Sequence, residues 1–218
     1  MKKMTWLLLG FMIFGCTPEP ESFIEDRVTG AFDDLYISKE THLYTSVNTG
    51  DKMDGEKVAR FEDGELKAEL TFLEGNVVAG KIWHDNGNVF VIFDTDADHD
   101  FITHTVSNEE GIKLQKNRLE FGTRSVREMY RWYDDGTPKA EMTPDGITEW
   151  YPNGQMKETS EFSNGNQHGR VAKWYENGQL AGESFYVDNK LHGDYREWDE
   201  DGTLVTSKAY EMGERVEE

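Results

Sequence analysis

A six-residue phrase that returns every 24 residues limits the fold of this chain more than any other feature. The phrase Trp-Tyr-x-Asn-Gly-Gln occupies positions 150–155 and 174–179, and a weaker copy occupies 198–203. The pair His168-Gly169 returns as His192-Gly193 at the same interval. A fixed period of this length is typical of repeat architectures, in which each unit packs against its neighbours.

Each repeat contains the pattern of a β-hairpin. Positions 170–175 and 180–187 contain aromatic and β-branched residues at a spacing that fits strands, and no helical period runs through them, which predicts two strands. Asn177-Gly178 between them predicts a type I′ turn, because that turn needs φ > 0 at both central residues. The sequence therefore predicts an all-β fold, an elongated array of stacked hairpins that form a long twisted antiparallel sheet. The tryptophans Trp150, Trp174 and Trp198 are expected in its core.

Turn glycines extend the repeat towards the N-terminus and define about seven units within residues 50–218. They are Gly64, Gly87, Gly111, Gly136, Gly154, Gly178 and Gly202. The interval of 18 residues between Gly136 and Gly154 is the short one. We attribute it to a tight turn at 144–146, where other units carry a longer loop such as 163–169.

The first 22 residues predict export and a lipid anchor. A basic start and an apolar run over 4–14 are typical of a signal peptide, assigned here to residues 1–15. The run ends at Cys16, the one cysteine of the chain, in a context that resembles the lipobox of bacterial lipoproteins. The resemblance implies a lipid on Cys16, a tether over 16–22, and a place in the bacterial envelope, the outer membrane being the expected one. The anchor would hold the chain at the bilayer without crossing it.

Residues 23–49 give the weakest pattern in the chain. Residues 22–25 could open a short helix, and residues 35–37 could form a strand. No architecture is predicted for this segment.

The charge balance limits the class of partner. There are 43 Asp and Glu residues against 23 Lys and Arg, a formal net charge of -20. Such a surface repels nucleic acid, whose binding depends on neutralising phosphates with basic side chains. It favours solubility and a basic partner.

Candidate chemical sites are few. Residues 94–100 carry the alternating acids of a calcium loop, but His99 replaces the turn glycine and Thr105 the final glutamate, so we expect a solvated loop. His168 and His192 are expected as loop residues that satisfy backbone groups, because zinc needs further ligands at one point. No nucleophile motif or phosphate loop occurs, and no carboxylate pair stands out. The sequence predicts no catalytic residue, no metal and no cofactor.

The phrase at 164–169 together with 173–180 resembles the variant MORN repeat of bacterial proteins. The resemblance covers 132–213 and extends in outline back to Phe61. It implies a hairpin array that binds or scaffolds a protein without catalysis. Some members of the family are labelled antitoxins.

Two functions from different classes follow. The first is an envelope-anchored protein-binding or scaffold module, whose partner is unidentified and possibly basic. The alternative is an immunity or antitoxin-like protein that neutralises one toxin, and an enzyme acting on a glycan is a third, weaker candidate.

Overall fold

The computed structural model describes residues 21–39 and 41–216, and of residues 21–23 only the backbone. The expected signal peptide, Cys16 and most of the expected tether lie outside these residues. The chain divides into two compact units between Val126 and Arg127. No helix within the described residues has the length and apolar character needed to cross a membrane.

The first unit begins with a small α/β segment. Helix α1 (Glu21–Thr29) is followed by strands β1 (Leu35–Ile37) and β2 (Tyr44–Ser46), which pair antiparallel. The helix and the first strand lie where the sequence indicated them. Because α1 begins at Glu21, the last two residues of the expected tether are helical.

Six further strands of the first unit form an antiparallel sheet, in which each strand pairs with the next one along the chain. They are β3 (Gly55–Arg60), β4 (Leu66–Leu73), β5 (Asn76–Trp83), β6 (Val89–Thr95), β7 (Phe101–Ser107) and β8 (Lys113–Glu120).

The core of the first unit lies between this sheet and the N-terminal segment. Ile24 and Val28 of α1 belong to the same buried cluster as Leu70, Val91 and Phe93 of the sheet. The segment over 23–49 thus supplies a second layer. Fully burying one such apolar side chain contributes about 1.5–3 kcal/mol.

The second unit is also built of antiparallel strands. Its strands are β9 (Val126–Trp132), β10 (Pro138–Thr143), β11 (Gly146–Trp150), β12 (Met156–Ser163), β13 (Asn166–Trp174), β14 (Leu180–Val187), β15 (Lys190–Leu191), β16 (Gly193–Trp198), β17 (Leu204–Glu211) and β18 (Glu214–Val216). They lie in chain order, except that β15 pairs with β14 beside the main path. Residues 127–216 contain no helix, so within this unit no second layer covers the sheet. The all-β fold of stacked antiparallel hairpins is confirmed.

The repeated turns have another geometry than predicted. At Tyr175–Gln179, Gly178 N donates to Tyr175 O at 2.9 Å and Tyr175 N donates to Gln179 O at 2.8 Å. Gly178 has φ +85°, whereas Asn177 is not among the residues with positive φ. This is the three-residue loop with a left-handed glycine in third position, so the type I′ prediction is wrong. The same pair of backbone bonds occurs at each of the seven turn glycines.

Two-residue turns with positive φ at both residues occur instead at the other end of some hairpins. Asn164 and Gly165 both have positive φ, and they join β12 to β13 in a two-residue turn. The expected longer loop over 163–169 is therefore wrong. The short interval between Gly136 and Gly154 arises from short strands, since β10 and β11 have 6 and 5 residues where β12 and β13 have 8 and 9.

Candidate functional site

Four tryptophans of the second unit occupy one register position and define the tryptophan row: Trp132, Trp150, Trp174 and Trp198. Each ends its strand and pairs with the first residue of the next strand, immediately before a β-bulge. Side chains at one register position lie on one face of a sheet. The face that carries the four tryptophans is called the row face below.

The tryptophan row is partly exposed. None of its four members is among the buried residues of the chain, which corrects the expectation that they form the core. The physical reason is that no second layer covers the sheet in this unit, so each ring is shielded from solvent only by its own sheet. The buried side chains of the second unit are mostly small and lie mainly on the opposite face, for example Ser160, Val171 and Ser184.

Tyrosine hydroxyls fix the backbone of the row from one hairpin to the next. Tyr133 Oη donates to Trp150 O, and Tyr151 Oη to Trp174 O, both at 2.8 Å. Tyr175 Oη repeats the contact to Trp198 O at 2.9 Å. The sequence contained a signal for this contact, the tyrosine that follows each of the first three tryptophans, but its role was not predicted.

Turn asparagines repeat the pattern at the surface. Asn153 Nδ2 donates to Glu176 O at 2.8 Å, and Asn177 Nδ2 donates to Glu200 O at 3.1 Å. In the first unit, Asn86 makes the same contact with Glu109 O at 2.9 Å. Each of these three turns is therefore bonded to the next turn along its sheet, and in the second unit the two bonds stiffen the support of the row around Trp150, Trp174 and Trp198.

The turn glycines hold a backbone conformation that other residues adopt only with strain. Gly64, Gly87, Gly136, Gly154 and Gly202 have φ between +83° and +93°. A Cβ at Gly154 would meet open space, whereas one at Gly178 would collide with the side-chain amide of Gln155. Gln179 lies over Gly202 in the same way.

The histidine-glycine pairs lie at the opposite end of the hairpins. His168 is in β13, not in a loop, and its Nδ1 lies 3.3 Å from Asp188 Oδ1. His192 is exposed between β15 and β16. Gly169 and Gly193 have φ +113° and +91°. The His168 ring therefore contacts a carboxylate, where the sequence predicted backbone contacts.

One member of the row holds an arginine. The guanidinium of Arg170 lies 5.8 Å from the centre of the Trp174 ring, and its Nε donates to Glu183 Oε1 at 2.6 Å. Arg170 is four residues before the tryptophan on the same strand, and Glu183 is opposite Ala172 on the next strand. The three side chains therefore lie together on the row face and combine a cation–π contact with a charge-assisted hydrogen bond.

Carboxylates outnumber cations on the row face. By the register of the strands, the acidic members include Glu128, Glu141, Glu161, Glu183, Asp194 and Glu211, and the basic members include Arg170, Lys190 and Arg196. Arg170 is paired with Glu183 and Arg196 with Asp194. The excess of negative charge makes the face complementary to a basic surface.

The opposite face carries two buried carboxylates side by side. Glu149 and Glu158 are paired across β11 and β12, and lysines reach both of them, Lys157 at 2.8 Å and Lys173 at 3.3 Å. Burial raises the pKa of Glu158, and the hydrogen bond to Glu149 raises the pKa of Lys157. Each buried carboxylate therefore has a lysine partner in this arrangement.

The acidic segment over 94–100 forms the connection between β6 and β7. Asp96 Oδ1 accepts backbone hydrogen bonds from Asp100 and Phe101 at 2.8 and 3.2 Å, and His99 has φ +60°. Across residues 21–39 and 41–216, no group of three His, Cys, Asp or Glu side chains is placed to hold a metal ion.

The comparison with known families concerns the centre of the row. Residues 145–164 and 167–188 match the model of the MORN repeat variant. Two hairpins of this chain are therefore similar to the MORN variant repeat. They comprise β11 to β14 and carry Trp150 and Trp174. The matched residues therefore include both the turn glycines and two tryptophans of the row. No curated protein shows a significant match to the chain.

Proposed function

We propose that this protein is a non-catalytic protein-binding scaffold, held at the bacterial envelope by a lipid on Cys16. The observation that carries the proposal is the tryptophan row, four large aromatic side chains that are partly exposed on one face of a rigid sheet. The partner is an unidentified protein with a basic surface, and no cofactor or nucleic acid takes part.

Energetic arguments favour a protein as the partner. Tryptophan and arginine are enriched among the residues that dominate binding energy at protein interfaces. They are most effective where the supporting structure is fixed before binding, because little conformational entropy is then lost. The Tyr151–Trp174 and Tyr175–Trp198 hydrogen bonds give the row that support.

Capture experiments on the envelope test the binding role. Crosslinking and pull-down would use the wild type, the variant Trp150→Ala/Trp174→Ala and the control Tyr186→Ala/Tyr210→Ala, whose side chains lie on the opposite face. We expect the control to retain the captured protein and the row variant to lose it, with circular dichroism confirming the fold of both. Equal capture by all three proteins would refute the row as the contact surface. A basic toxin as the captured protein would assign the immunity role instead.

Metabolic labelling tests the anchor separately. The proposal rests on the sequence around Cys16, which lies outside the described residues. We expect a palmitate analogue to label the wild type, and Cys16→Ser to abolish the label and release the protein from membranes. A wild type that stays unlabelled and soluble would remove the anchor from the proposal but not the binding role.

A further inference from the structure

The arrangement of an arginine, Trp174 and a glutamate has a counterpart elsewhere in the row. Counting from the tryptophan, Glu183 is nine residues later and Arg170 four residues earlier. The same steps from Trp132 lead to Glu141 and Glu128. The carboxylate is retained, and a glutamate stands where the arginine would be. Neither Trp150 nor Trp198 has this arrangement, since their equivalent carboxylate positions are threonine and serine.

Around Trp132 the side chains are arranged as a receptor for a flat cation. Tyr130 stacks on Trp132 with ring centres 6.4 Å apart and an angle of 25° between the planes. Glu141 is the cross-strand partner of Tyr130, as Glu183 is of Ala172. The Tyr130 and Trp132 side chains are partly exposed, as is Glu141. Among the described residues no Lys, Arg or His forms an ion pair with Glu141.

We propose that Trp132 and Glu141, beside Tyr130, form a binding site for an arginine side chain of the partner protein. The inference rests on the proposed function, in which the row face is the contact surface. The internal copy at Trp174 shows how the guanidinium is held, against the indole and hydrogen-bonded to the carboxylate of the next strand. The acidic excess of the row face supplies the charge complementarity.

The arrangement selects arginine over lysine. A guanidinium is planar and weakly hydrated, so it can stack on an aromatic ring and still donate hydrogen bonds in its plane to a carboxylate. An ammonium group is compact and strongly hydrated, and it cannot make both contacts in this way. The neighbouring Glu128 accepts a hydrogen bond from Tyr130 Oη at 3.1 Å, and this bond orients the Tyr130 ring beside the site.

Matched peptides test the chemical selectivity of the site. Calorimetric titration of the folded wild type with hexa-arginine and hexa-lysine, at an ionic strength near that of the cell, compares ligands of equal charge. We expect hexa-arginine to bind about tenfold more tightly, because a stacked and hydrogen-bonded guanidinium contributes about 1–2 kcal/mol at such a site. Glu141→Gln should remove this preference. Glu211→Gln, an equal charge change at an exposed position of β17, should leave it intact.

Two further variants test the equivalence of the two sites. Glu128→Arg should place an arginine of the chain itself on Trp132, as Arg170 is placed on Trp174, and so abolish the preference for hexa-arginine. Arg170→Ala should open the second site and raise the binding stoichiometry from one arginine-selective site to two. Circular dichroism of each variant would show that the fold is retained.

Equal binding of the two peptides by the wild type would overturn the inference. So would a preference for hexa-arginine that survives both Glu141→Gln and Glu128→Arg. These results would leave the proposed function standing if capture of the partner still depended on Trp150 and Trp174. Loss of the proposed function would appear instead as a partner that binds equally well to the row variant.

Discussion

The hydroxyl of Tyr175 donates a hydrogen bond of 2.9 Å to the carbonyl oxygen of Trp198, 23 residues further along the chain. Tyr133 and Tyr151 make the equivalent contact to the next tryptophan, so the bond recurs between three pairs of neighbouring hairpins. Trp198 pairs with Leu204 of the next strand, but the register with the preceding strand ends at Gly182 and Glu197, one residue before Trp198. The hydroxyl therefore donates to a carbonyl group beyond the end of that ladder.

We expect Tyr175→Phe to lower the free energy of unfolding by about 1 kcal/mol. The substitution removes one hydrogen bond while the ring remains, and a bond of this kind contributes about 0.5–1.5 kcal/mol net. Chemical denaturation would measure the change. Tyr210→Phe is the matched control, since the Tyr210 hydroxyl has no hydrogen bond among the described residues. An equal loss in both variants would mean that the bond to Trp198 contributes nothing specific.

Substitutions at two turn glycines distinguish the cost of backbone strain from the cost of a clash with the neighbouring turn. Gly154 and Gly178 have φ +83° and +85°, and only Gly178 lies under a glutamine side chain. Gly154→Ala should cost about 1–2 kcal/mol for the left-handed conformation alone. Gly178→Ala should cost at least as much, and Gln155→Ala should remove any excess, because that side chain is what the new methyl group would meet. A Gly178→Ala variant as stable as the wild type would contradict the left-handed geometry of the turn.

The sequence located the repeat correctly because its turns need glycine at a fixed step. A positive φ is a requirement of one backbone position, and the sequence reveals it by placing glycine there, as at Gly178. Whether the turn has two or three residues depends on which backbone bonds close it, so Asn177-Gly178 and Asn164-Gly165 look alike in sequence and differ in structure. The local pattern alone could not separate them.

The expectation that the tryptophans form the core follows from the need of a stacked array to bury apolar surface. Their exposure depends on whether a second layer covers the sheet. The first unit has such a layer, formed by α1 and the segment that follows it, and the second unit has none among its described residues. This difference involves contacts between Val28 and residues such as Leu70 that are far apart in sequence, and no periodicity reveals them.

We expect Arg124→Ala to loosen α1 from the first unit. Arg124 Nη1 donates to Glu25 Oε1 and to His42 O, both at 2.8 Å, and the two charged side chains are 14% and 19% exposed. Hydrogen bonds to charged groups contribute about 1.5–3 kcal/mol, and the loss should be of that size. Hydrogen exchange should accelerate around residues 24–32 more than in β5 and β6. Unchanged exchange at α1 would show that apolar packing alone holds the helix.

The first unit should lose stability below neutral pH because of one buried imidazole. His104 is 7% exposed, lies edge-on to Phe93 at 4.9 Å between ring centres, and is opposite Asn117 on β8. Burial, with a smaller contribution from the charge of Arg124, lowers the pKa of His104 to about 3. His104 therefore stays neutral in the folded protein at pH values where the same residue of the unfolded chain, whose pKa is about 6.5, is protonated.

The sign of the pH dependence follows from this difference. Above about pH 6.5 the imidazole is neutral in both states, and the full stability is present. As the pH falls from there towards 3, only the unfolded state gains the proton, so the free energy of unfolding drops by up to about 1.4 kcal/mol per pH unit. Denaturation of the wild type and of His104→Leu between pH 5 and 7 would measure this slope. The slope should be flatter in His104→Leu and unchanged in His192→Gln, whose ring is exposed. If His104→Leu keeps the wild-type slope, the loss of stability arises from other groups and the imidazole of His104 is accessible to protons in the folded state.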